Sequence, residues 1–168
     1  NEFSDFARMP KPIFKNNDLI KILEENIELL NEIDKSIKIS FIKKSEKISF
    51  SSDKEQISRA FFNLIKNSIE SIQQKTEKTS NFEKKISIEI SQNNDHINLI
   101  LVDNGIGFDQ VKNNIKDILN PYFTTKKKGT GLGLSIVNKI INDHNGELKF
   151  HPITDGAKIE INFLSNGN

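Results

Sequence analysis

Residues 99–137 read LILVDNGIGFDQVKNNIKDILNPYFTTKKKGTGLGLSIV, and the placing of glycine in this stretch decides how the chain is organised. The whole chain has 8 glycines, and five fall here: Gly105, Gly107, Gly129, Gly131 and Gly133. Glycine serves where φ must be positive or where backbone must approach a ligand closely. Either cluster alone would pass as turn punctuation. Together, flanking a polar loop, they point to a hinged lid. The apolar run Leu99–Val102 reads as a buried strand that delivers Asp103 at its end. Open sheets present ligand-binding side chains at such strand ends.

The segment Gly129-Thr130-Gly131-Leu132-Gly133-Leu134-Ser135 opens a helix expected over Thr130–Asp143. Free N–H groups and the positive end of the dipole make a helix start a phosphate site. Two familiar nucleotide loops are excluded by spacing. A Walker loop needs lysine where Leu134 stands, and the dinucleotide fingerprint needs glycine at that same position. Lys126, Lys127 and Lys128 precede the cluster. Such a triplet is ordinarily solvated surface, but beside a phosphate site one of the three reaches an oxygen as a point charge. Asp103 is followed by Asn104-Gly105-Ile106-Gly107. A carboxylate there can accept from an exocyclic amine, with the glycines letting a flat base lie on the main chain; an Asp-Asn-Gly turn is the plain alternative.

Composition narrows the class. Basic and acidic residues nearly cancel, 24 against 23, so no global field argues for nucleic acid or an anionic membrane surface. Cysteine is absent, which removes disulfides and thiolate chemistry. No apolar run approaches the roughly 20 residues of a membrane span. The 168 residues suffice for one domain with a real core. The start at Asn1, with no methionine or signal-like segment, suggests a piece of a longer protein.

Along the chain, Phe3, Phe6 and Met9 lie at helical spacing before Pro10 and Pro12, and Pro10–Lys15 reads as a linker. An amphipathic helix is expected over 18–33, with Asn17 or Asp18 as N-cap. Alternation then predicts a strand through Ile37, Ile39 and Phe41 and another through Ile48 and Phe50, joined by a turn at Lys43–Lys47. Ser52-x-x-Glu55 is a capping-box signature for a long helix running to about Gln74. Residues 75–84 read as a surface loop. Strands follow at Ile86–Ile90 and Ile97–Val102, a short helix at Asp109–Leu119, and a closing hairpin of Gly146–Phe150 with Ala157–Leu164. The expected architecture is a two-layer α/β sandwich: a mixed, mostly antiparallel sheet of about five strands with helices on one face.

On the long helix, Asn63, Asn67 and Glu70 share a face. Asparagine is a mediocre helix former, so two on one face mark either a solvated side or amide oxygens meeting a hard cation. Mg²⁺ takes such oxygens and is commonly shared with substrate phosphates. His96, His144 and His151 form no cluster and read as structural or exposed.

Taken together, these motifs resemble the catalytic ATP-binding domain of bacterial sensor histidine kinases, in the Bergerat-fold superfamily with gyrase, the heat-shock chaperone ATPases and MutL. RAFFNLIKNSIESI looks like the asparagine box, VDNGIGF like the first glycine box, PYFTTK like the phenylalanine box and GTGLGLSIV like the second glycine box. The resemblance implies ATP and Mg²⁺ as ligands. By it, Asn67 ligates the metal, Asn63 supports metal and phosphates, and Asp103 binds the adenine amine. Gly105 and Gly107 flank the base. Gly129, Thr130, Gly131, Leu132, Gly133 and Leu134 line the triphosphate, and Phe123, Thr124, Thr125 and Lys126 form the moving edge of the lid. Two departures stand out: Asn120 replaces a common acidic residue, and Glu70 stands where many members carry a basic one. That leaves Lys126 as the expected phosphate contact.

NEFSDFARMPKP is similar to the end of the second dimerisation helix in nitrogen-regulation-type sensor kinases. Residues 1–15 would then close the dimerisation hairpin and linker, and 16–168 would be the catalytic domain. No His-Glu-x-x-Asn-Pro-like motif is present, so the phosphoacceptor histidine is expected upstream of Asn1. The resemblance further implies a homodimer in the full-length protein and a response regulator of the enhancer-binding type as partner. It implies a cytoplasmic domain anchored to the inner membrane only through segments further upstream. In the superfamily's ATPases a glutamate four residues before the metal asparagine activates water. Asn63 holds that position here and cannot accept a proton. Histidine phosphorylation is therefore expected, with ATP hydrolysis or ATP binding alone as alternatives.

Overall fold

The computed structural model describes residues 9–79, 81–107 and 133–165. Its elements are β1 (Lys15–Asp18), α1 (Leu19–Asn31), β2 (Lys38–Lys43), β3 (Ser49–Ser52), α2 (Lys54–Lys78), β4 (Lys85–Asn93), β5 (His96–Asp103), α3 (Gly133–Asp143), β6 (Gly146–His151) and β7 (Ala157–Leu164). Five strands form one sheet in the order β2-β4-β5-β7-β6, and β1 and β3 form a separate two-stranded ribbon. Only the β2–β4 pair of the large sheet is parallel. This is the mixed, mostly antiparallel sheet that the alternation predicts.

Period-two alternation sends one row of each strand inward. Ile86, Ile88 and Ile90 of β4, Ile97, Leu99 and Leu101 of β5, and Ile159, Ile161 and Phe163 of β7 join a single buried cluster with the helices. The inward row of β5 does not stop at Leu101. Its next member is Asp103, only 4% exposed. The other face is polar, as in the Asn98 Nδ2 to Glu160 Oε2 hydrogen bond of 2.6 Å.

The central helix is α2, packed against both α1 and α3. Ile57, Ala60, Phe61, Leu64, Ile65, Ile69 and Ile72 keep the 3.6 period on its buried side. Burying each large apolar side chain is worth about 1.5–3 kcal/mol, enough to hold a helix whose other positions are largely Lys, Glu, Gln, Ser and Asn. Among the described residues, no helix is long and apolar enough to cross a membrane.

Four local expectations are corrected. The strands before and after Lys43–Lys47 do not form a hairpin: β2 pairs in parallel with β4, and β3 pairs antiparallel with β1. Part of the expected linker, at Lys15, is therefore strand. The cap of α2 is Asp53, whose Oδ1 accepts from Gln56 N at 3.1 Å, while Ser52 Oγ turns back to Phe50 O at 3.0 Å. Finally, α2 runs to Lys78, a turn past Gln74. Asp18 does cap α1, accepting from Ile20 N, and also accepts from Ile48 N, which fixes the entry to β3.

Candidate functional site

The end of β5 meets one face of α2. Asp103 is the last inward residue of its strand, so strand periodicity places a carboxylate where a side chain of the apolar row would otherwise stand. Burial pushes its pKa up; hydrogen bonds from Gly105 N–H, the Ser68 hydroxyl and Ala157 N–H, with the charge of Lys75, pull against that. The Gly105 N–H reaches Asp103 Oδ1 at 2.9 Å. The carboxylate is thus buried but supplied with donors, which is how a buried acid stays available as an acceptor.

The loop that follows lies directly on the helix. A Cβ at Gly105 would collide with the Ser71 side chain and with the backbone of Ser71 and Ile72. Ile106 N donates to Ser71 Oγ at 3.0 Å, and Lys75 Nζ donates to Asn104 O at 2.9 Å. The same Lys75 ammonium lies 4.6 Å from the centre of the Phe82 ring. Asn104 Oδ1 in turn accepts Lys85 N at 3.0 Å, pinning the loop to the start of β4. On the other side, Gly156 at φ 144° has room for hydrogen alone, because a Cβ there would strike Asp103 O. Gly107, with φ 71°, meets this second turn.

Asn63, Asn67 and Glu70 are half-buried on α2. Asn67 immediately precedes Ser68, so the amide expected to hold a metal and the hydroxyl that touches Asp103 sit on consecutive residues. Among the described residues, no group of three or more His, Cys, Asp or Glu side chains could hold a metal ion. The donors available are amide oxygens, which fits a hard cation that takes most of its ligands from phosphate and water. Gly133 and Leu134 open α3, and Leu134 packs on the core. Apart from its chain neighbours and its own helix backbone, no described atom lies within 4 Å of a Cβ built on Gly133.

The structure thus brings Asp103 and Gly105 to α2, the helix that carries Asn63 and Asn67, and sets Gly107 against the turn of Gly156. Phe123, Thr124, Thr125, Lys126, Gly129, Thr130, Gly131 and Leu132 lie outside the described residues, as do Asn120 and the helix expected at Asp109–Leu119. Ser68, Ser71 and Lys75 join the site without having been expected there. Their spacing of three and four places them on one helix face, a signal the sequence does carry. The expected end of the helix at Gln74 hid Lys75.

Comparison with known proteins follows the same lines. The chain is 34% identical over 164 residues to an NtrY-like sensor histidine kinase of Rickettsia bellii, covering 97% of this chain and 26% of that protein. It is 32% identical over 179 residues to the nitrogen regulation protein NtrY of Azorhizobium caulinodans, covering 99% and 21%. The chain therefore spans about a quarter of the length of these curated relatives. Among solved structures, the catalytic domain of the histidine kinase ThkA superposes with a TM-score of 0.76 at 25% identity, covering 91% of this chain and 96% of that one. Residues 52–166 match a family model described as histidine kinase-, DNA gyrase B- and HSP90-like ATPase. That span begins one residue before the cap of α2 and takes in every element of the site, and the chain belongs to this ATPase family.

Proposed function

We propose that this chain is the ATP-binding catalytic domain of a sensor histidine kinase. It would transfer the γ-phosphoryl group of ATP to a histidine on a dimerisation hairpin, for relay to a response regulator. The observation that carries this reading is the buried Asp103 carboxylate, held by donors at the end of β5 and seated against the helix of Asn63 and Asn67. An adenine amine is the donor such an acceptor suits. Asn67, supported by Asn63, would hold Mg²⁺ against the phosphates, where the cation would neutralise charge developing during transfer. Gly129–Leu134 and Lys126 would contact the triphosphate.

Asn63 favours transfer over hydrolysis. An amide cannot take a proton from water, whereas an imidazole brings its own lone pair and needs only positioning. Residues 1–15 would lead from the hairpin, and 16–168 would form the catalytic domain. The likeness to nitrogen-regulation kinases supports an enhancer-binding response regulator, a homodimer in the full protein and a membrane anchor upstream. The test is incubation with γ-labelled ATP and a separately supplied, histidine-bearing dimerisation hairpin. Label should move to the hairpin, with negligible hydrolysis in its absence. Steady hydrolysis without the hairpin would make the chain an ATPase, and binding without transfer would make it a binding module.

A further inference from the structure

The chain is led into β1 by a short strap, Met9–Phe14, in which Pro10 and Pro12 alternate with Lys11 and Ile13. Proline locks its own φ and biases the residue before it to extended backbone, so the strap is stiff. Proline also has no N–H, which leaves Lys11 and Ile13 as the donors between 10 and 13. The Ile13 N–H lands on Asp53 Oδ2 at 2.9 Å, and Pro10 O accepts Gln56 Nε2 at 2.9 Å. Beyond the strap the chain is pinned: Lys15 pairs with Ser52 in the β1–β3 ribbon, and Asn17 Nδ2 donates to Ser52 O at 2.9 Å. Gln56 is 7% exposed, and its Oε1 accepts no hydrogen bond among the described residues. A methionine of similar length would avoid that unpaired acceptor. The amide is accounted for by the bond it donates to the strap.

Asp53 is engaged through every polar atom it has. Oδ1 accepts Gln56 N at 3.1 Å and caps α2, while Oδ2 holds the strap. Its carbonyl accepts Ile57 N at 2.9 Å, and its N–H goes to His144 Nε2 at 3.0 Å, just past the end of α3. One residue therefore joins the strap, the start of the helix that carries Asn63 and Asn67, and the end of the helix that opens at Gly133. Resting on the reading of the chain as an ATP-binding domain, we infer that the Asp53 carboxylate is a two-oxygen latch that couples seating of the strap to nucleotide affinity. With the strap seated, the Asp53 side chain is held from both sides, and α2 and α3 meet in one geometry. With the strap lifted, Oδ2 loses its donor; α2 keeps its cap, but its start is no longer fixed against His144. Because Pro10 and Pro12 stiffen the strap, Ile13 follows a displacement of the chain before it rather than absorbing it. Coupling is reciprocal, so bound nucleotide in turn holds the strap down.

The test pairs hydrogen–deuterium exchange of the whole chain with calorimetric titration of ATP in Mg²⁺. In the wild type, saturating ATP should slow exchange of the strap amides. Asp53→Asn separates latch from cap: asparagine caps as well as aspartate, but its single acceptor oxygen is taken by Gln56 N, which leaves the Ile13 N–H unheld. In that variant the strap should exchange faster and ATP should no longer slow it. The amides of Gln56 and Ile57 should exchange as in the wild type, and ATP affinity should fall roughly 3- to 10-fold. Unchanged strap exchange would mean that Oδ2 does not hold the strap. A loosened strap with wild-type ATP affinity would make seating and binding independent, and faster exchange at Gln56 and Ile57 would make the effect one of capping alone. Each of these overturns the latch. A wild type that binds no ATP overturns the reading beneath it, which distinguishes the two failures. Should Asp53→Asn not fold, Ile13→Pro removes the donor and keeps the carboxylate, and it should loosen the strap and weaken ATP in the same way. Wild-type ATP affinity in folded Ile13→Pro would contradict the latch.

Discussion

His144 Nε2 accepts the backbone N–H of Asp53 at 3.0 Å, while its Nδ1 meets Ile140 O at 2.7 Å. Nε2 as acceptor requires Nδ1 as donor, which leaves the ring neutral. The contact ties the end of α3 to the cap of α2. The Asp53 carboxylate, besides capping α2, accepts Ile13 N at 2.9 Å, and Gln56 Nε2 holds Pro10 O at 2.9 Å. The segment entering the domain, the helix bearing the asparagines and the helix following the second glycine cluster therefore meet at one joint. Phe14 stands edge-on to the imidazole at 5.2 Å.

This joint makes stability depend on pH. Burial pushes the His144 pKa below its ordinary value of 6.5, against the opposing pull of Ile140 O, Asp53 and Asp143. Below that value the unfolded chain binds a proton that the folded chain resists, so this contribution is full above about pH 6.5 and is lost as the pH falls. Urea midpoints measured from about pH 7.5 down to about 5.5 should decline for the wild type. His144→Leu removes the titration and should flatten the profile, while leaving Asp53 N–H unpaired at a cost of about 1–3 kcal/mol. The same acid slope in both proteins would acquit His144.

Gly105→Ala places a methyl group against the Ser71 side chain and the α2 backbone. Neither the helix backbone nor the loop held by Asn104 has a flexible end to give way. The variant should lose about 1–3 kcal/mol of stability, read as a lower thermal midpoint, and should bind ATP more weakly because the base loop is lifted. Wild-type values of both would mean that the loop moves away from α2 at little cost.

Asn67→Ala should remove mainly the Mg²⁺ dependence of ATP binding. Titrations with and without Mg²⁺ should differ for the wild type and converge for the variant. Normal metal dependence in Asn67→Ala would refute the ligand assignment.

Much of this site is legible in the sequence alone. Alternation along β5 carries straight through to Asp103, and the glycines on either side of Ile106 mark a loop that must come close to something. What cannot be read there is which partner each element chooses. The periods of β2 and β3 are local properties, and nothing in Lys43–Lys47 forbids a hairpin; the parallel match of Ile39 with Ile86 is made across a long separation. Ser52 and Asp53 are adjacent capping candidates; Asp53 caps the helix while Ser52 Oγ bonds Phe50 O, and the Asp53 N–H is met by His144, far along the chain. Ser68 escapes for a related reason. A serine within an apolar helix face reads as a tolerated polar residue until the carboxylate opposite is seen.

That Asp103 reads the base of a bound ATP is the central claim, and ATP titration of Asp103→Ala beside the wild type tests it most directly. Loss of a charge-assisted hydrogen bond costs ~1.5–3 kcal/mol, so affinity should fall roughly 10- to 100-fold in a variant that stays folded. Unchanged ATP affinity in folded Asp103→Ala would contradict the account.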